Sequence, residues 1–145
     1  MLKKWMVAAM VGVFATAVSW AQGSPAGQWQ TFDEDSGAKK AIVQITQLPS
    51  GELIGKVVKL IQKPGATCEK CDGSRKGKPI EGMTILWGLL PDGDNEWDDG
   101  EIFDPQSGKT YSLKAELSDD GQTLELRGYL GFSLLGRTQT WKRIK

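Results

Sequence analysis

The chain contains no histidine. That absence removes Ser-His-Asp and Cys-His nucleophile pairs, imidazole general-base chemistry and the usual zinc and copper sites. Cysteine is almost as scarce. The two present, Cys68 and Cys71, cannot supply the four ligands of a structural zinc site without histidine. An excess of one charge is missing too: Lys and Arg number 18, and so do Asp and Glu. Such a balance leaves no electrostatic footprint for nucleic acid or an anionic membrane. After residue 21 no apolar run approaches the about 20 residues that a membrane-spanning helix needs, so no integral membrane association is expected. No amphipathic helical stretch is long enough to cover an open sheet.

What the chain does have begins with a leader. Met1-Leu-Lys-Lys4 is basic, Met6 to Val18 is apolar, and Ser19-Trp20-Ala21 puts small residues at the −3 and −1 positions of a cleavage site. Residues 1–21 therefore read as a secretory signal peptide, too short to span a bilayer. No cysteine follows the site to carry a lipid. Residues 22–145 form one domain of a size that buries a real core, expected in the periplasm or outside the cell. Without Lys3 and Lys4 the 18 basic residues fall to 16 against 18 acidic ones, a net charge of −2.

From Gly27 onward apolar residues recur with period two, and turn residues interrupt them every eight to twelve positions, the signature of an all-β domain. Strands are expected at about 27–33, 40–48, 52–61, 83–90, 96–104, 109–118, 123–130 and 137–144. A polar loop over 62–78 follows the third strand, with room for a helical turn at 80–82. The segment Met83-Thr-Ile-Leu-Trp-Gly-Leu-Leu90 is apolar nearly throughout. In the sixth strand Tyr111, Leu113, Ala115 and Leu117 share one face, and in the seventh Leu124, Leu126, Gly128 and Leu130 do. Eight short-linked strands without helices must split into a sandwich or close. Closure removes both edges, and glycines within strands (Gly55, Gly88, Gly128) suit the bends it needs. The expected fold is an eight-stranded antiparallel up-and-down barrel, with a sandwich as the alternative.

Gly27-Gln-Trp29 opening the first strand, with an arginine late in the last, resembles the lipocalin and calycin pattern. The resemblance implies that Trp29 packs across a closed barrel floor beneath an arginine, here Arg143 or Arg137. The chain also resembles, in order, a family of small exported bacterial proteins, the domain of unknown function twenty-one forty-seven. The residues that carry this are Gly27-Gln-Trp29, Cys68-Glu-Lys-Cys71, Pro79-Ile-Glu-Gly82, Ile85-Leu-Trp-Gly88, Asp104-Pro, Gly108-Lys-Thr-Tyr111, Arg127-Gly-Tyr129, Gly131 and Leu135-Gly-Arg-Thr-Gln-Thr-Trp141. The resemblance implies a lipocalin-like barrel and no settled activity.

Several side chains invite a chemical reading. A redox-active C-x-x-C needs a low-pKa thiol at a helix N-terminus in a βαβ setting, which this pattern lacks, so a disulfide between Cys68 and Cys71 is expected. The acidic run Asp92 to Glu101 begins like a calcium loop. It has Trp97 where the loop glycine belongs and Phe103 where the closing glutamate belongs, so no metal is expected. No carboxylate pair is singled out for catalysis, no cofactor is implied, and no enzyme is expected. Trp29, Trp141 and Arg143 read as structural. Trp87, Tyr129, Phe132, Leu134, Leu135 and Arg137 are the candidate ligand-binding residues, because an apolar connector either plugs a barrel end or lines its mouth. Arg137, if inward, requires an acid such as Asp104. The expected function is binding of a small hydrophobic or amphipathic ligand. The alternative is interaction with another protein of the cell envelope.

Overall fold

The computed structural model describes residues 12, 23–131 and 136–145. The leader assigned to 1–21 therefore lies outside the described residues, Gly12 excepted. Eight strands form: β1 (Gly27–Phe32), β2 (Lys39–Gln47), β3 (Leu53–Leu60), β4 (Thr84–Pro91), β5 (Glu96–Asp104), β6 (Lys109–Leu117), β7 (Thr123–Tyr129) and β8 (Arg137–Arg143). Each pairs antiparallel with the next, and β8 returns to β1, closing a barrel. That closed ladder excludes the sandwich. The short helical turn falls at Gly73–Arg75 rather than at 80–82.

Register sets which side chains fill the interior. Leu113 faces Gly128, Ala115 faces Leu126 and Leu117 faces Leu124, so the clean alternation of β6 and β7 points one set inward. With Val43, Ile45, Leu53, Leu86 and Leu89, Ala115 and the leucines of β6 and β7 are almost wholly buried, whereas Gly128 is half-buried. Each buried Val, Leu or Ile side chain contributes roughly 1.5–3 kcal/mol relative to exposure.

The barrel's two ends differ. At one end the turns 48–52, 92–95 and 118–122 are short. At the other lie the 61–83 loop, the 33–38 turn, the Asp104–Lys109 turn and the connection from β7 to β8. Strand β4 is apolar on both faces over Ile85 to Trp87, where it is covered on both, while Leu90 near its end is exposed. Leu86 pairs with Ile102 and Trp87 with Glu101. Leu86 and Ile102 thus turn inward, while Ile85, Trp87 and Phe103 turn outward beneath the 61–83 loop. Phe103 and Ile85 are buried there although they lie outside the barrel.

The β3–β4 ladder is the most irregular, with two register shifts where β1–β2, β2–β3 and β5–β6 have one each. Gly88 takes a φ of 74°, a left-handed conformation that glycine adopts without strain. Two carboxylates repair the ladder. Glu52 Oε1 accepts the Gly88 N–H at 2.8 Å and Glu81 Oε1 accepts the Leu60 N–H at 2.9 Å.

Two turn aspartates link the fold to pH. Asp33 is held below the ordinary carboxylate range chiefly by the Ser36 N–H, then by the Asp35 N–H. Asp120 is lowered chiefly by the Ser118 hydroxyl, then by the Gln122 N–H. A carboxyl whose folded pKa is depressed adds stability above its unfolded pKa and loses it as pH falls through the folded value. Asn keeps the acceptor oxygen at each site but does not titrate. A combined Asp33→Asn, Asp120→Asn variant is therefore expected to lose less stability than the parent between neutral pH and pH of about 3. Urea midpoints at the two pH values check this, and equal losses would show that neither turn carries the effect.

Candidate functional site

The end with short turns is sealed by residues of the first and last strands, which meet there. Trp29 is completely buried, and its Nε1–H donates to the Pro25 carbonyl at 2.8 Å. The Arg143 guanidinium lies over the indole, 4.5 Å from the ring centroid. It donates to three carbonyls, those of Gly121 (2.7 Å), Ala26 (2.8 Å) and Ser24 (2.7 Å). Burial pushes its pKa down, and the three carbonyl dipoles compensate the lost hydration. Trp141 packs in the same core.

On the barrel's flank, Cys68 and Cys71 form a disulfide, and both are buried. The loop it pins lays Arg75 across two outward aromatics, 5.3 Å from the Trp87 centroid and 4.9 Å from that of Phe103. The Trp87 Nε1–H donates to Glu101 at 3.0 Å. Trp87 is therefore engaged by the loop on the outer face of β4.

The open end is built differently. Register with β7 turns Arg137 and Gln139 inward, opposite Gly128 and Leu126. Glu34, in the turn after β1, joins them: its carboxylate accepts from Arg137 Nη1 at 3.2 Å and from Gln139 Nε2 at 2.7 Å. Trp141 Nε1 in turn donates to Gln139 Oε1 at 3.3 Å. The acid that meets Arg137 is thus Glu34, not Asp104, whose carboxylate accepts the Gln106 N–H and the Ser107 hydroxyl within its own turn. The Arg137 side chain remains 85 % exposed.

The seam between β1 and β8 splits beside this network. Its register runs only through Trp29↔Arg143 and Gln30↔Lys142. Beyond Gln30 the strands part around an open groove of about 610 Å³, walled by 32–35 and 137–140. Inside the mouth, Gly128 faces Tyr111 and Ile102. A β-carbon there would meet Tyr111 Cβ at 3.6 Å and Ile102 Cγ2 at 3.8 Å, which is ordinary contact.

The candidate binding residues are only partly gathered. Arg137 lines the groove. Tyr129 pairs with Ser112 and turns outward on β7, and Trp87 is three strands away from it. Phe132, Leu134 and Leu135 lie outside the described residues; Leu130 beside them is 60 % exposed. The acidic run forms no group of three or more His, Cys, Asp or Glu side chains able to hold a metal among the described residues. Part of it lines a hollow of about 160 Å³ with Lys114 and Arg127 interleaved. Arg127 also donates to the Thr138 hydroxyl at 3.0 Å. Glu34, Gln139 and Arg75 were not singled out by sequence. For Arg75 a signal existed: apolar residues on both faces of β4 demand a second cover, and the loop's basic residues are near enough to supply a cation for its aromatics.

Residues 27–143 match the model of a family described as uncharacterized proteins conserved in bacteria, the domain of unknown function twenty-one forty-seven. The chain belongs to that family. Among solved structures, the fold is similar to protein HP1028 from Helicobacter pylori, described as belonging to the lipocalin family. The TM-score is 0.75 at 18% sequence identity, over 85% of this chain and 84% of that one. The family's fold, as this member shows it, is thus a lipocalin-like eight-stranded barrel. Comparison with the curated proteins gives no match.

Proposed function

We propose that the protein is an exported binding protein, not an enzyme, and that its barrel takes a small, partly apolar ligand at the open end. The observation that carries this reading is the contrast between the ends. One is filled and sealed around Trp29, while at the other the inner wall turns polar at Arg137 and Gln139 and the seam splits. The ligand's polar head meets Arg137 and Gln139. Its apolar part lies toward Ile102 and Tyr111, with Leu130 exposed at the rim. The filled lower half confines the ligand to the mouth rather than a deep chamber. The lipocalin-like fold supports this use, since barrel mouths are common ligand sites. Export is supported by the leader pattern of 1–21 and by the disulfide, which persists in oxidising compartments. The absence of histidine supports binding over catalysis.

Titration with 1-anilinonaphthalene-8-sulfonate, an apolar dye with an anionic head, tests the reading. Saturable one-to-one binding is expected, weakened at least about tenfold by Arg137→Gln, the loss of one charged hydrogen bond. Gly128→Val, which narrows the mouth without straining the backbone, should also weaken it. No saturable binding, or binding indifferent to both substitutions, would overturn the site.

A further inference from the structure

The split seam offers more than a mouth. Main-chain groups on a strand point alternately to its two neighbours. The Arg143 N–H bonds the Gln122 carbonyl on the β7 side, whereas the Ile144 N–H bonds the Gln28 carbonyl on the β1 side. Alternation therefore aims the N–H and C=O groups of Lys142, Thr140 and Thr138 at β1. Lys142 finds its partner in Gln30, but no residue of β1 pairs with Thr140 or Thr138. Gln139 and Arg137 point their main chain to β7 and are paired there. Among the described residues, the upper half of β8 is thus a sheet edge inside an otherwise closed barrel, and it fronts the groove of about 610 Å³.

We propose that this edge receives a short extended segment of another protein, bearing a basic side chain, which adds to β8 as an antiparallel strand. Main-chain pairing to a free edge gives affinity, and flanking side chains give specificity. Charge says which segment. The groove is walled by three acidic side chains, Asp33, Glu34 and Asp35, against one basic, Arg137. Asp33 is spent on its own turn, and Glu34 on Arg137 and Gln139. Asp35, exposed at the rim, is left to meet a lysine or arginine. Thr138 and Thr140 are exposed β-branched residues on the barrel's outer face, a surface that favours β-branched cross-strand partners. This inference rests on the edge of β8, not on the inward side chains that the small-ligand reading uses.

The test uses the peptide acetyl-Lys-Val-Thr-Val-Lys-amide with a fluorescent label, followed by anisotropy and by amide NMR of the protein. Saturable binding is expected, with the largest shifts at the Thr138 and Thr140 amides. Peptides N-methylated at alternate residues form two sets. The set that blocks the edge-facing N–H groups should bind at least about tenfold more weakly, and the other set should match the parent, because only one set of amides enters the ladder. Asp35→Lys should weaken the parent peptide, and a Glu-for-Lys peptide should bind more weakly to the unaltered protein. Thr140→Pro deletes an edge-facing N–H while sparing every β7 bond, so it should lose the peptide yet keep the dye. Binding indifferent to the N-methylation pattern, or no shift at Thr138 and Thr140, overturns the proposal. The methylated peptides decide this even if the proline variant does not fold, and loss of dye binding alone would count only against the small-ligand site.

Discussion

Arg143→Ala is expected to destabilise the barrel by about 3–5 kcal/mol, a large fraction of the 5–15 kcal/mol typical of a domain. The guanidinium satisfies three carbonyls at 2.7–2.8 Å that come from segments otherwise far apart in sequence, 24–26 and 121. Its removal leaves those part-buried oxygens with weaker partners, and it also forfeits the cation–ring contact with Trp29, worth about 0.5–2 kcal/mol. Arg143→Lys keeps the charge but not the fork, so it should recover only a minor part of the loss. Urea unfolding at neutral pH measures both. A loss below about 1 kcal/mol for Arg143→Ala would reduce the residue to an ordinary surface cation.

Phe103→Ala is expected to cost about 3–5 kcal/mol, as though Phe103 stood in the barrel interior, although its side chain points out of the barrel. It is 6 % exposed, enclosed by the disulfide-pinned loop and capped by Arg75. Arg75→Ala should cost only about 1 kcal/mol, because a partly exposed cation over two rings gains little after solvation. The ratio of the two losses, from chemical denaturation, tells a real second core from a loop resting on the surface. Equal and small losses would mean that the loop contributes no core.

The two arginine sites show what one sequence discloses. Strands β6 and β7 alternate cleanly because one face is packed and the other wet, and the periodicity located their inward residues with no help from the rest of the chain. Strand β4 gave an unbroken apolar run, which says that both faces are covered but not by what. Arg137 was expected to need an acid, and it has one. Which acid depends on which turn overhangs β8 after closure, and Glu34 is 103 residues away in sequence. No spacing rule reaches that far. The aromatic ring of Tyr129 suggests a binding role, yet the alternation that turns Gly128 inward turns Tyr129 outward, so periodicity is the better guide there. The split of the seam left no trace in the sequence. It follows from where a ladder stops, and Thr31 and Phe32 read as well as strand residues as their paired neighbours.

The seal around Trp29 also has a consequence in time. Its ladder joins Trp29 to Arg143, so the first strand cannot find its second neighbour until the last has joined the sheet. Contacts that distant in sequence are slow to form, because most of the chain must be ordered before they are rewarded. Until then β1 is a bare edge, open to pairing with any other extended chain. A chain cut short before Arg137 would keep that edge permanently. The order of events is therefore written into the topology: hairpins first, closure last, with Arg143 turning the final encounter into a lock.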